Sequence, residues 1–197
     1  MTKTIPISKQ KPELPPIPRA LVDKANALYT YLQSTKDMMG DQLQAIYHYL
    51  DEFRPYLDQF ISCGGKGCSH CCRMDVQITT LEAEYLALSA KVPMNRAPQA
   101  LSTGHTDACP FLDGEGTCGV YEVRPLVCRL YHAAGDPEDC LPGREQIQYG
   151  APPKFGNDIF FNLVNWLNQV VVLQAGGQWR DIRDFFPAAG AREFLHT

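Results

Sequence analysis

Apolar residues recur at helical spacing along the first third of the chain. Leu21, Ala25, Leu28 and Leu32 form one stripe, and Met39, Leu43, Ile46, Tyr47, Leu50, Phe53, Leu57 and Phe60 form a longer one. The pattern predicts two amphipathic helices packed as a hairpin, with Pro55 kinking the second or starting a new helix. MDVQIT, residues 74 to 79, alternates apolar and polar positions and predicts a short strand. Thr79 stands three residues before Glu82, the spacing of a capping box, so LEAEYLALSA should be helical and stop before Pro93. Residues 93 to 108 read as loop. CPFL, DGEG and TCGVYE then read as a small hairpin, and RPLVCRLYH as a helix with Pro125 in its tolerant first turn. Pro137, Pro142, Pro152 and Pro153 interrupt 135 to 156, after which Asp158 can cap a last long helix to about Gln174. WRDIRDFF predicts one more short helix before Pro187.

These elements make a mainly α fold: helical N- and C-terminal segments around a small cysteine-rich module with a short strand and a hairpin. Residues 1–19 hold five prolines and little periodicity and predict a flexible arm. Residues 20–61 carry the first helices, 62–140 the cysteine module, and 141–197 a C-terminal helical segment on the same core. At 197 residues, one core with an extension is the expected organisation.

A net charge of −4, with 18 basic and 22 acidic residues interspersed, provides no polycationic footprint for nucleic acid or an anionic membrane. The stretch Ile159 to Leu173 is shorter than the roughly 20 residues that span a bilayer and contains three asparagines and a glutamine. The N-terminus lacks the apolar core of a secretory signal, so the cytoplasm is the expected compartment. In a reducing compartment, clustered cysteines favour metal or redox roles over cross-links.

The chain has eight cysteines, four of them in CGGKGCSHCC, residues 63 to 72. They form a first block, Cys63, Cys68, Cys71 and Cys72, and a second, Cys109, Cys118, Cys128 and Cys140. Two residues separate Cys68 from Cys71, which lets one turn aim two sulfurs at one ion, and the adjacent glycines let the backbone wrap closely. The hairpin would bring Cys109 and Cys118 together, with Cys128 entering from the following helix, to close a four-sulfur site. Side chains of neighbouring residues in an extended chain point to opposite sides. Hence either one of Cys71 and Cys72 is a ligand and the other a small core residue, or both serve a polynuclear cluster, or they serve two sites.

Arg73, Arg124 and Arg129 flank the thiols and could offset the charge of a metal-thiolate centre, zinc or iron-sulfur alike; ordinary surface pairing or carbonyl capping is the other reading. His70 and His132 are candidate nitrogen ligands, and His105 a weaker one. Cys68 and Cys71 also match a redox pair, but four clustered thiols with more downstream exceed what such a site uses. Gly114, Gly116 and Gly119 match a dinucleotide fingerprint in letters only, since no strand-to-helix turn surrounds them. Soft thiolates suit both zinc and iron.

CGGKGCSHCCRMDVQITTLEAEYL and CPFLDGEGTCGVYEVRPLVCRLYH together resemble the YkgJ-type cysteine-cluster family, a zinc- or iron-chelating domain with a CxxCxxCC signature. The resemblance runs from about Cys63 to Cys140. It implies a small bacterial protein chelating zinc or an iron-sulfur cluster, with Cys68, Cys71, Cys72, Cys109, Cys118 and Cys128 at matching positions. Cys63 departs from the signature, with four residues between it and Cys68 where the signature has two, and Cys140 lies beyond the best-matching motif. Flagellin lysine N-methylases have a similar module, which implies a second reading: an enzyme modifying a protein side chain, with the metal centre organising its site. Besides the metal ion, a protein partner bound through the terminal helices is a third expectation.

Overall fold

The computed structural model describes residues 16–59, 68–96, 101–134, 140, 147–149, 163 and 166–187. The arm before Pro16, Cys63, the four prolines of 137 to 153 and the cap at Asp158 lie outside the described residues. Among the described residues the protein is mainly α, with two small antiparallel strand pairs.

Helix α1, Arg19–Ser34, starts after Pro18, whose carbonyl accepts from the N–H groups of Leu21 and Val22. It turns Ala25 and Leu32 inward. Helix α2, Met39–Leu57, buries Leu43, Ile46, Tyr47, Leu50, Phe53 and Leu57 along one face. The two form a hairpin: Lys24 reaches Glu52 at 2.7 Å, and the Tyr49 hydroxyl lies 3.4 Å from the Leu21 carbonyl. Of the two outcomes expected at Pro55, a kink or a new helix, the second does not occur: one helix runs through it. The proline rides in the last turn, and Asp58 N–H closes the end on the Arg54 carbonyl. So near the terminus, the missing proline N–H removes only a fraying bond.

Strand β1, Gln77–Thr79, leads directly into α3, Thr80–Ala90. The expected capping box is present: Glu82 N–H donates to Thr79 Oγ1 at 3.2 Å, and Thr79 N–H to Glu82 Oε2 at 2.9 Å. Lys91, at φ 56°, ends the helix two residues before Pro93.

The expected hairpin is reduced to one bridge, Leu112 with Cys118, around a turn in which Asp113 Oδ1 accepts from Glu115 and Thr117 N–H. Pro110 has no N–H to extend a ladder, and the other arm coils into a 3-10 turn, Tyr121–Val123. Helix α4, Leu126–Leu130, starts after Pro125 and is shorter than the helix expected over RPLVCRLYH, since the chain is already in a strand at His132. Strands β2, His132–Ala134, and β3, Ile147–Tyr149, pair antiparallel and bracket Cys140 in sequence. The last long helix ends at Gln174, as expected, but Leu167–Gln174 is wound as a π-helix.

WRDIRDFF corrects a further expectation. Trp179–Asp181 forms strand β4, which pairs antiparallel with β1, and only Ile182–Phe185 is helical, as α5. Asp181 caps that turn by accepting from Arg183 N–H at 2.9 Å.

Two apolar clusters result. One joins α1 and α2 to Leu81, Leu126, Leu163 and Val171. The other joins Val76, Ile78, Ala83, Leu86, Phe111 and Leu112 to Ile182, Phe185 and Phe186, with Cys72, Cys118, Val127 and Cys128 packed against it and Cys109 within it. Helices α3 and α4 each contribute to both, so the thiol-bearing segments rest on the same core as the first hairpin.

Candidate metal centre

Cys71 and Cys72 do not lie on extended chain. They sit in a 3-10 turn, His70–Arg73, in which Cys72 N–H bonds the Ser69 carbonyl and Met74 N–H the Cys71 carbonyl. At three residues per turn, neighbours stand about 120° apart rather than opposed, so both can border one space. The Cys72 thiol is close enough to perturb that of Cys71. Gly116, at φ 79°, allows the 113–117 turn to approach this segment: a Cβ there would lie 3.3 Å from Ser69 Oγ.

The two blocks meet through the backbone, Cys109 N–H donating to the Cys72 carbonyl at 2.7 Å. Cys68, Cys71, Cys72, Cys109, Cys118, Cys128 and Cys140 all line one cavity of about 470 Å3. All seven are free thiols. Within the set, Cys71, Cys109, Cys118 and Cys128 are electrostatically coupled, whereas buried Cys140 packs against Cys68.

Burial pushes the Cys109 thiol up to about 12 and drives Cys128 well above its ordinary range, with neighbouring thiols adding to both. Cys71 is raised chiefly by the Cys72 thiol and then by burial. Cys118 is raised by burial, against the opposing pull of Arg124. A metal entering this cavity therefore displaces protons.

The three arginines singled out by sequence have different surroundings. Arg73 is exposed. Arg124 lines the cavity, stacks over the Tyr121 ring at 4.0 Å and donates to the Tyr121 carbonyl at 2.8 Å. Arg129, 5% exposed, donates to the carbonyls of Arg124 and Glu122, pairs with Asp51 and lies over the Tyr47 ring. It thus fastens α4 and the preceding 3-10 turn to α2.

Arg183, on α5, is the arginine that the sequence did not single out. It donates to the carbonyl of Cys72 at 3.2 Å, of Asp107 at 2.7 Å and of Met74 at 3.3 Å, and to Asp181 Oδ1 at 2.9 Å. One guanidinium therefore clamps the chain beside both thiol blocks, and its charge favours the Cys109 thiolate. Carbonyl partners leave no mark in a sequence, so no motif or spacing pointed to Arg183.

Asp75, His105 and Asp181 bring three metal-type donor atoms within 4.8 Å of one another, the one such group among the described residues. Their donors and acceptors are already engaged by neighbouring groups. Asp75 accepts from Gly104 and His105 N–H, Asp181 from Val76 N–H and Arg183, and His105 Nε2 lies 2.8 Å from Ser102 Oγ. With a guanidinium already on Asp181, the group reads as a structural knot beside the thiols. His70 lies in the Cys71 turn and the His132 side chain is outside the described residues.

Residues 62–154 match the family model CxxCxxCC, described as "Putative zinc- or iron-chelating domain". No curated protein and no solved structure matches the chain. No helix among the described residues is long and apolar enough to cross a membrane.

Proposed function

We propose, from the premise that residues 62–154 form a CxxCxxCC-family chelating domain, that this protein holds an iron-sulfur cluster in its thiol cavity. Cys71, Cys109, Cys118 and Cys128 are the proposed ligands, Cys72 flanks them, and Cys68 with Cys140 forms a reserve pair. Cys63, outside the described residues, is a further candidate.

The observation that carries this reading is the spacing of the sulfurs. Around one zinc ion, bonds of about 2.3 Å set tetrahedral sulfurs roughly 3.8 Å apart. Among the described residues no three thiols close to within 4.8 Å; they ring a cavity of about 470 Å3 instead. That supports a polynuclear centre over a lone ion. Seven soft donors suit iron-sulfur ligation, and such a cluster, when bound, supplies one-electron chemistry. Free thiols on every described cysteine support a reducing, cytoplasmic setting. Arg124 offsets thiolate charge at Cys118, and Arg183 at Cys109.

Anaerobic purification without added metal, followed by elemental analysis and a visible spectrum, tests the reading. Iron and acid-labile sulfide with a brown chromophore are expected. A colourless protein with one zinc would replace the cluster by a single ion, and a folded, metal-free protein would overturn chelation altogether.

A further inference from the structure

The thiols occupy only part of their cavity's lining. At about 470 Å3 the space falls within the roughly 300–1,000 Å3 of small-molecule pockets. Apolar side chains contribute much of the remainder, among them Val120, Val123, Val127 and Ile182. Arg54 and Arg124 also belong to its lining.

The arginines there differ in their partners. Arg54 pairs with Asp58, and the nearby Arg129 pairs with Asp51. Arg124 has no carboxylate in contact among the described residues. One of its five N–H donors goes to the Tyr121 carbonyl while its face rests on the Tyr121 ring. It is half-buried; burial, and then the like charges of Arg129 and Arg54, disfavour its charged form, while Tyr121 and the more distant Asp51 carboxylate only partly offset them. Of the two acids in the lining, Asp75 is tied by Gly104 and His105 N–H, and Glu122 is exposed. A fixed, stacked guanidinium with donors to spare in an apolar space is a carboxylate receptor.

Resting on the metal-centre reading and naming what shares that site, we propose that the thiol cavity binds a small organic carboxylate, its charge on Arg124 and its apolar body against Val120, Val123 and Val127. If Arg124 only neutralised the thiolate centre, added carboxylate would not bind.

The test uses the anaerobically purified, metal-loaded full chain, titrated calorimetrically and by visible spectrum with benzoate, neutral benzyl alcohol and inorganic phosphate. Benzoate is expected to bind with a Kd of about 1 mM or below, benzyl alcohol and phosphate at least tenfold more weakly, and Arg124→Gln, compared per mole of metal-loaded protein, to lose benzoate affinity at least tenfold. Wild-type protein that ignores benzoate to about 10 mM overturns the proposal without recourse to a variant. So does an Arg124→Gln protein that binds benzoate as wild type does, or phosphate binding tighter than benzoate. Metal content measured on the same samples separates the readings: loaded protein indifferent to benzoate sinks this proposal alone, and metal-free protein sinks the chelating reading beneath it.

Discussion

Replacing Glu82 by alanine should cost about 3 kcal/mol of stability. Glu82 is 2% exposed, and its carboxylate accepts from Thr79 N–H and hydroxyl on one oxygen, and from Leu126 N–H and the Tyr47 hydroxyl on the other. One side chain thus joins α2, the start of α3 and the start of α4. Alanine strands two buried N–H groups and a phenol. At about 1–3 kcal/mol per buried donor, the N–H groups alone give about 2–6 kcal/mol. Relief of an unfavourably buried charge offsets part, because burial raises the Glu82 carboxyl above its ordinary 4.5. Against a typical total of 5–15 kcal/mol the loss is large.

The same shift fixes a pH signature. A carboxyl with a raised folded pKa binds its proton more tightly in the native state. Its contribution is complete below the unfolded value and disappears as pH rises through the folded one. Wild-type stability should therefore fall with rising pH above about 4.5 by an amount Glu82→Ala lacks, and the difference between the two should be larger at pH 5 than at pH 7. Urea unfolding at the two pH values measures both effects. A loss below about 1 kcal/mol, or a difference that grows toward pH 7, would refute the reasoning.

Arg183→Ala should destabilise by about 3–5 kcal/mol in urea titration, because it leaves the fully buried Asp181 carboxylate without its guanidinium. Arg183→Lys should recover only part, since an ammonium cannot span the carbonyls of Cys72 and Asp107 together. Gly116→Ala should cost about 1–2 kcal/mol from its φ of 79°, read as a lowered denaturation midpoint. Cys128→Ser should abolish most metal retention in elemental analysis, whereas Cys140→Ala should leave most of it, and the reverse order would exchange their assigned roles.

Much of the fold could be read locally. The stripe from Leu43 to Leu57, the Thr79 to Glu82 box and the helix start after Pro125 depend on neighbours within a few residues, and each appears as expected. Long-range features could not. Strand β4 is three residues, too short for a period to show, and exists because β1 offers it an edge about a hundred positions earlier. Pro55 left a kink and a new helix both open, because its consequence depends on how soon the helix ends. The gathering of thiols from both blocks was legible from their spacing, yet the 3-10 turn that sets Cys71 beside Cys72 was not. Nor was Arg183, whose carbonyl partners exist only once the chain has folded.

The Arg183 clamp has a consequence for biosynthesis. Its partner carbonyl at Cys72 leaves the ribosome 111 residues before the guanidinium does. At about 5–20 residues per second, the first thiol block is exposed for roughly 10 s before its clamp has been made. Cys68, Cys71 and Cys72 are then reactive, unburied thiols on a nascent chain. Assembly of the centre should therefore follow synthesis of Arg183, and a ribosome-stalled chain ending before it should label faster with a thiol alkylator at Cys68, Cys71 and Cys72 than the finished protein, in which they are partly buried.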